Sequence, residues 1–259
     1  MKLTGNTIFI TGGGTGIGRG LAEALHKRGN KVIIAGRSKT QLDAMVKANA
    51  GIEAVELDVS NPGQITAVSK QIIKSHPKLN VLINNAGIML YDNAATVLDE
   101  ESTARQIETN LLGSVRLTSA LIEHLKTQPA SWVVYNSSIL AFTPLAQFAV
   151  YSGTKAFLHS YALSQRFMLR NTSVKVQEIV PPWVGTGLVG DASHPNAMPL
   201  DKFIEETMKA LGTEVEEVLV ENAQANRNNA GAGEHKFINE LNDYVQSVLT
   251  PEAAPARHA

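Results

Sequence analysis

Cysteine is absent from the 259 residues. That one absence removes disulfide scaffolds, thiolate metal sites and cysteine nucleophiles together. It accords with a reducing compartment, and the cytoplasm is the expected location. A charge excess is missing too: 23 basic residues face 24 acidic ones, a formal net charge of −1. A duplex-binding surface needs a basic excess, so nucleic acid is not an expected partner. No apolar run reaches the roughly 18 residues that a membrane helix requires, so no membrane partner is expected. The first apolar stretch passes straight into glycines, unlike a secretory leader. The seven histidines show no ligand spacing such as HExxH, and no metal site is expected. His26, His76 and His124 fall near helix C-termini, where surface roles are the plain reading.

What is present is an alternation. Apolar runs of strand length occur at Thr7–Ile10, Lys31–Ala35, Glu53–Leu57, Val81–Ile83, Trp132–Tyr135, Val174–Val180 and Val218–Val220. Helical spacing fills the segments between them. This predicts an α/β chain: a Rossmann-type doubly wound parallel sheet of about seven strands, with helices on both faces. No linker divides the chain, so residues 1–259 read as one dinucleotide-binding and catalytic domain. Asn222–Gly233 is rich in Asn, Ala and Gly and reads as a helix end and loop before a last helix, Glu234–Leu249. Residues 222–259 thus form a C-terminal extension with a frayed tail from Pro251.

Thr11 ends the first strand, and Gly12, Gly13, Gly14, Thr15, Gly16, Ile17 and Gly18 lead into a helix. Glycines permit a tight turn and close approach to a pyrophosphate, and the helix N-terminus meets its charge. The spacing differs from GxGxxG, and no Gly-Lys-Ser/Thr follows that would make a P-loop. The second strand ends Gly36-Arg37-Ser38, where an acid would select NAD(H) through the ribose. Arg37 can instead pair with a 2′-phosphate, so NADP(H) is preferred and NAD(H) is the alternative. The plain reading of Arg37 is a solvated strand end. Asp58 and Val59 close the third strand. Asp58 meets the adenine edge or serves as a helix N-cap, and both readings stand.

Tyr151 and Lys155 are spaced i, i+4 and share a helix face. A lysine beside a phenol favours the phenolate. Bringing a tyrosine from pH ~10 to neutrality takes about three units, roughly 4 kcal/mol. Alone, this spacing arises often by chance. Ser137 and Ser138 end one strand, Asn84, Asn85, Ala86 and Gly87 end another, and Asn110 sits inside an apolar helix between them. Polar groups at the carboxyl ends of central parallel strands converge on one crevice.

Together these residues resemble the short-chain dehydrogenase/reductase family, in its compact single-domain branch. Thr11-Gly12-x3-Gly16-x-Gly18, Asn84-Asn85-Ala86-Gly87, Asn110, Ser138 and Tyr151-x3-Lys155 match in order and spacing over about residues 4 to 186. The resemblance implies hydride transfer between NADP(H) and a carbonyl or alcohol. It implies Tyr151 as the acid in reduction and the base in oxidation. Lys155 would lower the tyrosine pKa and hold the nicotinamide ribose, and Ser138 would bond the substrate oxygen. Asn110 would hold a water that links Lys155 to solvent. Asn85, Ala86 and Gly87 would join the cofactor site, and Pro181, Val184 and Thr186 would form the carboxamide-binding stretch. A dimer or tetramer is implied.

Two stretches depart from that pattern. Pro182 stands where the family usually has glycine, which alters the backbone locally. The C-terminal third lacks the usual glycine-bearing strand, so a homodimer is expected over a tetramer. Met198-Pro199-Leu200-Asp201-Lys202-Phe203-Ile204 is similar to a sub-branch of DltE-like oxidoreductases. Met89, Leu90, Leu140, Phe142, Phe148, Trp183 and Leu188 are expected to line a substrate pocket, with 185–199 as the substrate loop. Their apolar character suits a small-molecule ketone, aldehyde or secondary alcohol. The alternatives are a non-catalytic NAD(P)-sensing or interaction protein on the same fold and, more remotely, a sugar-nucleotide epimerase.

Overall fold

Buried β-branched runs on both sides of a chain reversal demand helices on both faces of a sheet. The computed structural model describes residues 1–188, 193–229 and 231–248. Its seven strands are β1 (Thr7–Thr11), β2 (Lys31–Gly36), β3 (Glu53–Glu56), β4 (Leu79–Asn84), β5 (Ser131–Asn136), β6 (Val174–Val180) and β7 (Glu217–Leu219). They form one parallel sheet in the order β3-β2-β1-β4-β5-β6-β7. The order reverses between β1 and β4, which opens a crevice at their carboxyl ends.

The helices are α1 (Gly16–His26), α2 (Lys39–Ala48), α3 (Pro62–Ser75), α4 (Glu100–Gln106), α5 (Gly113–Lys126), α6 (Ala149–Leu169), α7 (Leu200–Leu211), α8 (Gln224–Arg227) and α9 (Glu234–Val248). One apolar layer joins Leu21 and Leu25 of α1 with Leu42 of α2, Phe203 of α7 and the inward residues Ile8, Ile34, Val134 and Ile179. The other joins Ile65 of α3, Leu117 of α5 and Leu158 of α6 with Phe9, Ile33, Leu82 and Val133. Consecutive strand residues therefore serve opposite layers, as the pleat requires.

One expectation changes here: the helix around Asn110 is not regular, since Ile107–Leu112 is a π-helical turn between α4 and α5. The helical part of the stretch from Asn222 is a 3₁₀ turn at Glu221–Ala223 followed by α8. The expected tail from Pro251, and Leu249 at the end of the last helix, lie outside the described residues. No helix among the described residues is long and apolar enough to cross a membrane.

Candidate active site

The glycine loop is built by necessity. Gly12 and Gly16 adopt φ of 64° and 53°, where a side chain would be strained. A Cβ on Gly18 would lie 2.2 Å from the Gly12 carbonyl oxygen, so α1 can start here only with glycine. Thr11 and Asn85 brace this loop from behind. Thr11 Oγ1 accepts from the amides of Asn85 and Ala86, both at 3.0 Å. Asn85 Nδ2 donates back to the carbonyls of Thr11 and Gly12. Thr11, Gly18 and Asn85 thus hold the two sides of the switch point together and stand behind the cavity wall.

The cavity, about 560 Å³, is lined by Gly12, Gly14, Thr15, Arg37, Ser38, Asp58, Val59, Ala86 and Gly87 among the expected cofactor residues. Gly36, Gln41, Leu42, Leu57, Ile88 and Thr109 complete it. Gln41 and Thr109 carry no motif of their own; they face the cavity because α2 and the π turn bring them there. Gly16 lies against Thr186 instead, where an added Cβ would be 3.4 Å from the threonine side chain. The first amides of α1 receive no side-chain cap from Thr15, and no acid lies in its first turn. By contrast α2, α3 and α4 are capped by Ser38, Asn61 and Asp99. An uncapped, glycine-led helix N-terminus opening on a cavity fits the phosphates of a dinucleotide. Arg37 is exposed at the rim and pairs with no carboxylate among the described residues.

The two readings of Asp58 now separate. Asn61, not Asp58, caps α3. Asp58 turns the chain by accepting from the Ser60 amide and hydroxyl at 2.9 and 2.7 Å, and it faces the cavity.

The polar residues converge next to that cavity. Tyr151, Lys155 and Ser138 are all buried. Lys155 Nζ donates to the Asn136 carbonyl at 2.7 Å and sits 5.4 Å from the centre of the Tyr151 ring. Burial pushes the Tyr151 phenol well above its ordinary value, and the nearby Ser138 hydroxyl pulls it back part of the way. Burial lowers Lys155 to about 8, against a partial rise from the Glu178 charge. Ser138 Oγ accepts from the Leu140 amide at 3.1 Å, which leaves its hydroxyl proton to donate elsewhere.

Asn110 is fully buried on the π turn. Its Oδ1 accepts from the Ile88 amide at 2.8 Å, and its Nδ2 donates to the Ile88 carbonyl and to Thr154 Oγ1. It therefore ties the exit of β4 to α6 one residue before Lys155. A Cβ on Gly87 would come 3.4 Å from Asn110 Oδ1 and 3.8 Å from Lys155 Nζ, so the missing side chain leaves space between those two.

Of the expected substrate-pocket residues, Leu140 and Phe148 pack with Tyr151, and Met89 lies against them. The Leu90 amide is held by Gln106 Oε1. Trp183 packs against the His194 ring at 4.3 Å, and its carbonyl receives the Met198 amide, which closes the base of the loop. Pro181 accepts from the Ile139 amide, Val184 bridges to Met198, and Leu188 is exposed. Phe142 departs from expectation. Its ring meets His159 at 4.7 Å and lies under the Arg227 guanidinium at 4.7 Å, so it faces the C-terminal segment and not Tyr151. One positioning residue carried no motif at all: Asp92 accepts from the amides of Ala149 and Val150 with its two oxygens, capping α6.

The family model described as short chain dehydrogenase matches residues 6–197. An uncharacterised oxidoreductase of Bacillus subtilis strain 168, DltE, is 43% identical over 189 residues, covering 73% of this chain and 75% of that protein. A short-chain dehydrogenase from Burkholderia cenocepacia, solved in complex with NADP, superposes with a TM-score of 0.82 at 24% identity, over 93% of this chain and 99% of the other. A short-chain dehydrogenase/reductase from Burkholderia phymatum, solved with NAD, does so with a TM-score of 0.79 at 20% identity, over 93% and 96%. The resemblance carried by the sequence motifs, the DltE-like sub-branch included, agrees with these findings.

Proposed function

Since the chain belongs to the short-chain dehydrogenase family and is an oxidoreductase of it, we propose that it reduces a mostly apolar ketone or aldehyde, or oxidises the matching secondary alcohol, with NADP(H). The observation that carries this reading is Tyr151, held protonated by burial, on the same helix face as a buried Lys155 and beside a buried Ser138. The nicotinamide, when bound, supplies or accepts the hydride. Tyr151 hands its proton to the substrate oxygen in reduction and recovers it in oxidation. Ser138 directs its hydroxyl proton at the same oxygen and so orients the reacting carbon. Lys155 lends positive charge to the phenol and binds the ribose. Asn110 and Lys155 share a water in the space beside Gly87, which restores the proton from solvent.

Arg37, at the cavity rim beside Gly36 and paired with no carboxylate among the described residues, favours the 2′-phosphate of NADP(H). Met89, Leu140 and Phe148 give the substrate an apolar wall next to Tyr151; of the expected substrate loop 185–199, residues 189–192 lie outside the described residues. The whole chain works as one catalytic unit in the cytoplasm, as a homodimer. The outer face of α6 supports the dimer: Phe157, Leu163, Phe167 and Met168 expose large apolar surface along one helix.

The test is consumption of NADPH, and separately of NADH, across a panel of ketones and aldehydes, for the wild-type chain and for Tyr151→Phe. Turnover with NADPH preferred is expected, with a loss of at least about a hundredfold in Tyr151→Phe and NADPH affinity retained. A wild-type rate in Tyr151→Phe would refute the mechanism. Cofactor binding without turnover on any carbonyl would move the reading to a sensing protein, and a clear NADH preference would refute the role given to Arg37.

A further inference from the structure

Behind the catalytic residues lies a second polar layer. Glu178 on β6 is fully buried and faces α6. Its Oε1 accepts from Ser137 Oγ at 2.5 Å, and its Oε2 pairs with His159 Nδ1 at 2.8 Å. Ser137 precedes Ser138 in the chain, and His159 lies one helical turn beyond Lys155 on α6. The next strand places Glu217 directly opposite Glu178 in register. Two carboxylates side by side in a sheet repel. Here each is separately satisfied. Arg227 of α8 grips both oxygens of Glu217, at 2.6 and 3.0 Å, and holds that carboxyl below its usual range. Glu178 keeps the serine and the histidine for itself.

We propose that Glu178 is a positioning residue: through Ser137 and His159 it fixes the end of β5 and the inner face of α6, and its buried negative charge keeps the buried Lys155 protonated. The argument rests on geometry and charge. Lys155 is nearly fully buried, and its bonded partner is a neutral carbonyl, Asn136 O. A buried cation without a nearby anion gives up its proton. The groups facing Glu178 from the elements packed around it are Ser137 just after β5, His159, Lys155 and Arg166 on α6, Glu217 on β7 and Arg227 on α8. Arg227 belongs to Glu217, and Arg166 turns to the Val176 carbonyl and to Glu216. Glu178 is bonded to Ser137, one residue beyond the Asn136 carbonyl that holds Lys155, and to His159, one turn beyond Lys155, so among the described residues it is the buried carboxylate that answers this lysine. The Glu178 charge raises Lys155 against the larger effect of burial, in agreement with this assignment.

The inference rests on the oxidoreductase reading for its consequence in catalysis, and its test has a readout besides activity. Lysine side chains labelled with ¹³C report the Lys155 titration in NMR, with its signal assigned by loss in Lys155→Met. In Glu178→Gln the Lys155 midpoint is expected to fall by about one unit or more. The alkaline limb of the kcat profile should move down by the same amount, and Glu178→Asp should recover most of the shift. An unmoved Lys155 midpoint in folded Glu178→Gln would overturn the proposal. A moved midpoint in a chain that turns over no carbonyl would uphold it while refuting the oxidoreductase reading. If Glu178→Gln does not fold, Lys155→Met is added to it. Recovery of a folded chain is the expected result, because the uncompensated cation is gone. A double variant that still fails to fold would overturn the proposal.

Discussion

At the scale of single residues, the site is a set of ionisable groups held away from water, and that has a measurable price. Lys155 falls from its ordinary 10.5 to about 8 because burial disfavours its charge. Between those values the unfolded chain binds a proton that the folded chain has released. Stability therefore rises as pH rises from about 8 to 10.5, and below 8 the folded chain carries the full penalty, about 3 kcal/mol. Lys155→Met removes that penalty. Its urea-unfolding midpoint at pH 7 is expected to lie above wild type, with a gain of that order, and the two curves should converge near pH 10.5. A variant no more stable than wild type at pH 7 would contradict the burial argument. Turnover should be lost in the same variant, so this lysine is kept for chemistry at the expense of stability. Tyr151 and Lys155 were legible in the sequence because they share one helix turn. Glu178, His159 and Asp92 were not, because each acquires its meaning from a partner on a different element.

At the scale of elements, α6 does most of the positioning. It carries Tyr151, Lys155 and His159, and its start is set by Asp92 from the segment after β4. A carboxylate that bonds two first-turn amides also answers the positive end of the helix dipole. Asp92→Ala is expected to cost about 1–2 kcal/mol in denaturant unfolding. Because Tyr151 sits in the first turn, kcat should fall on the order of tenfold while NADPH affinity holds. Unchanged kcat would show that α6 keeps its place without the cap. The strands were the easiest elements to foresee. β2, β4 and β5 are buried on both faces, so their residues must be apolar almost without interruption. The π turn at Ile107–Leu112 left no such trace. Its apolar spacing looks like an ordinary helix, and the wider turn is where Asn110 bonds Ile88 and Thr154 on neighbouring elements.

At the scale of the whole molecule, the apolar face of α6 makes a prediction about assembly. A homodimer through Phe157, Leu163, Phe167 and Met168 should sediment at twice the chain mass, and Phe167→Glu with Met168→Glu should sediment as a monomer with intact circular dichroism. A wild-type monomer would refute the interface. The overall architecture was legible because seven apolar runs separated by helical spacing admit few other arrangements. The C-terminal third was not, since its role depends on where the chain returns. Asn226 donates to Thr143, and Asn242 bonds Pro144 and Ala146, which fastens α8 and α9 to the loop between Ser138 and Tyr151. That fastening sets an order of events at the ribosome. The cofactor half emerges first and can fold early. Glu178 and Glu217, however, are synthesised before Arg227, the residue that keeps them from repelling each other. Without Arg227, Glu217 would meet the buried Glu178 uncompensated, so docking of the last strand is expected to be a late step.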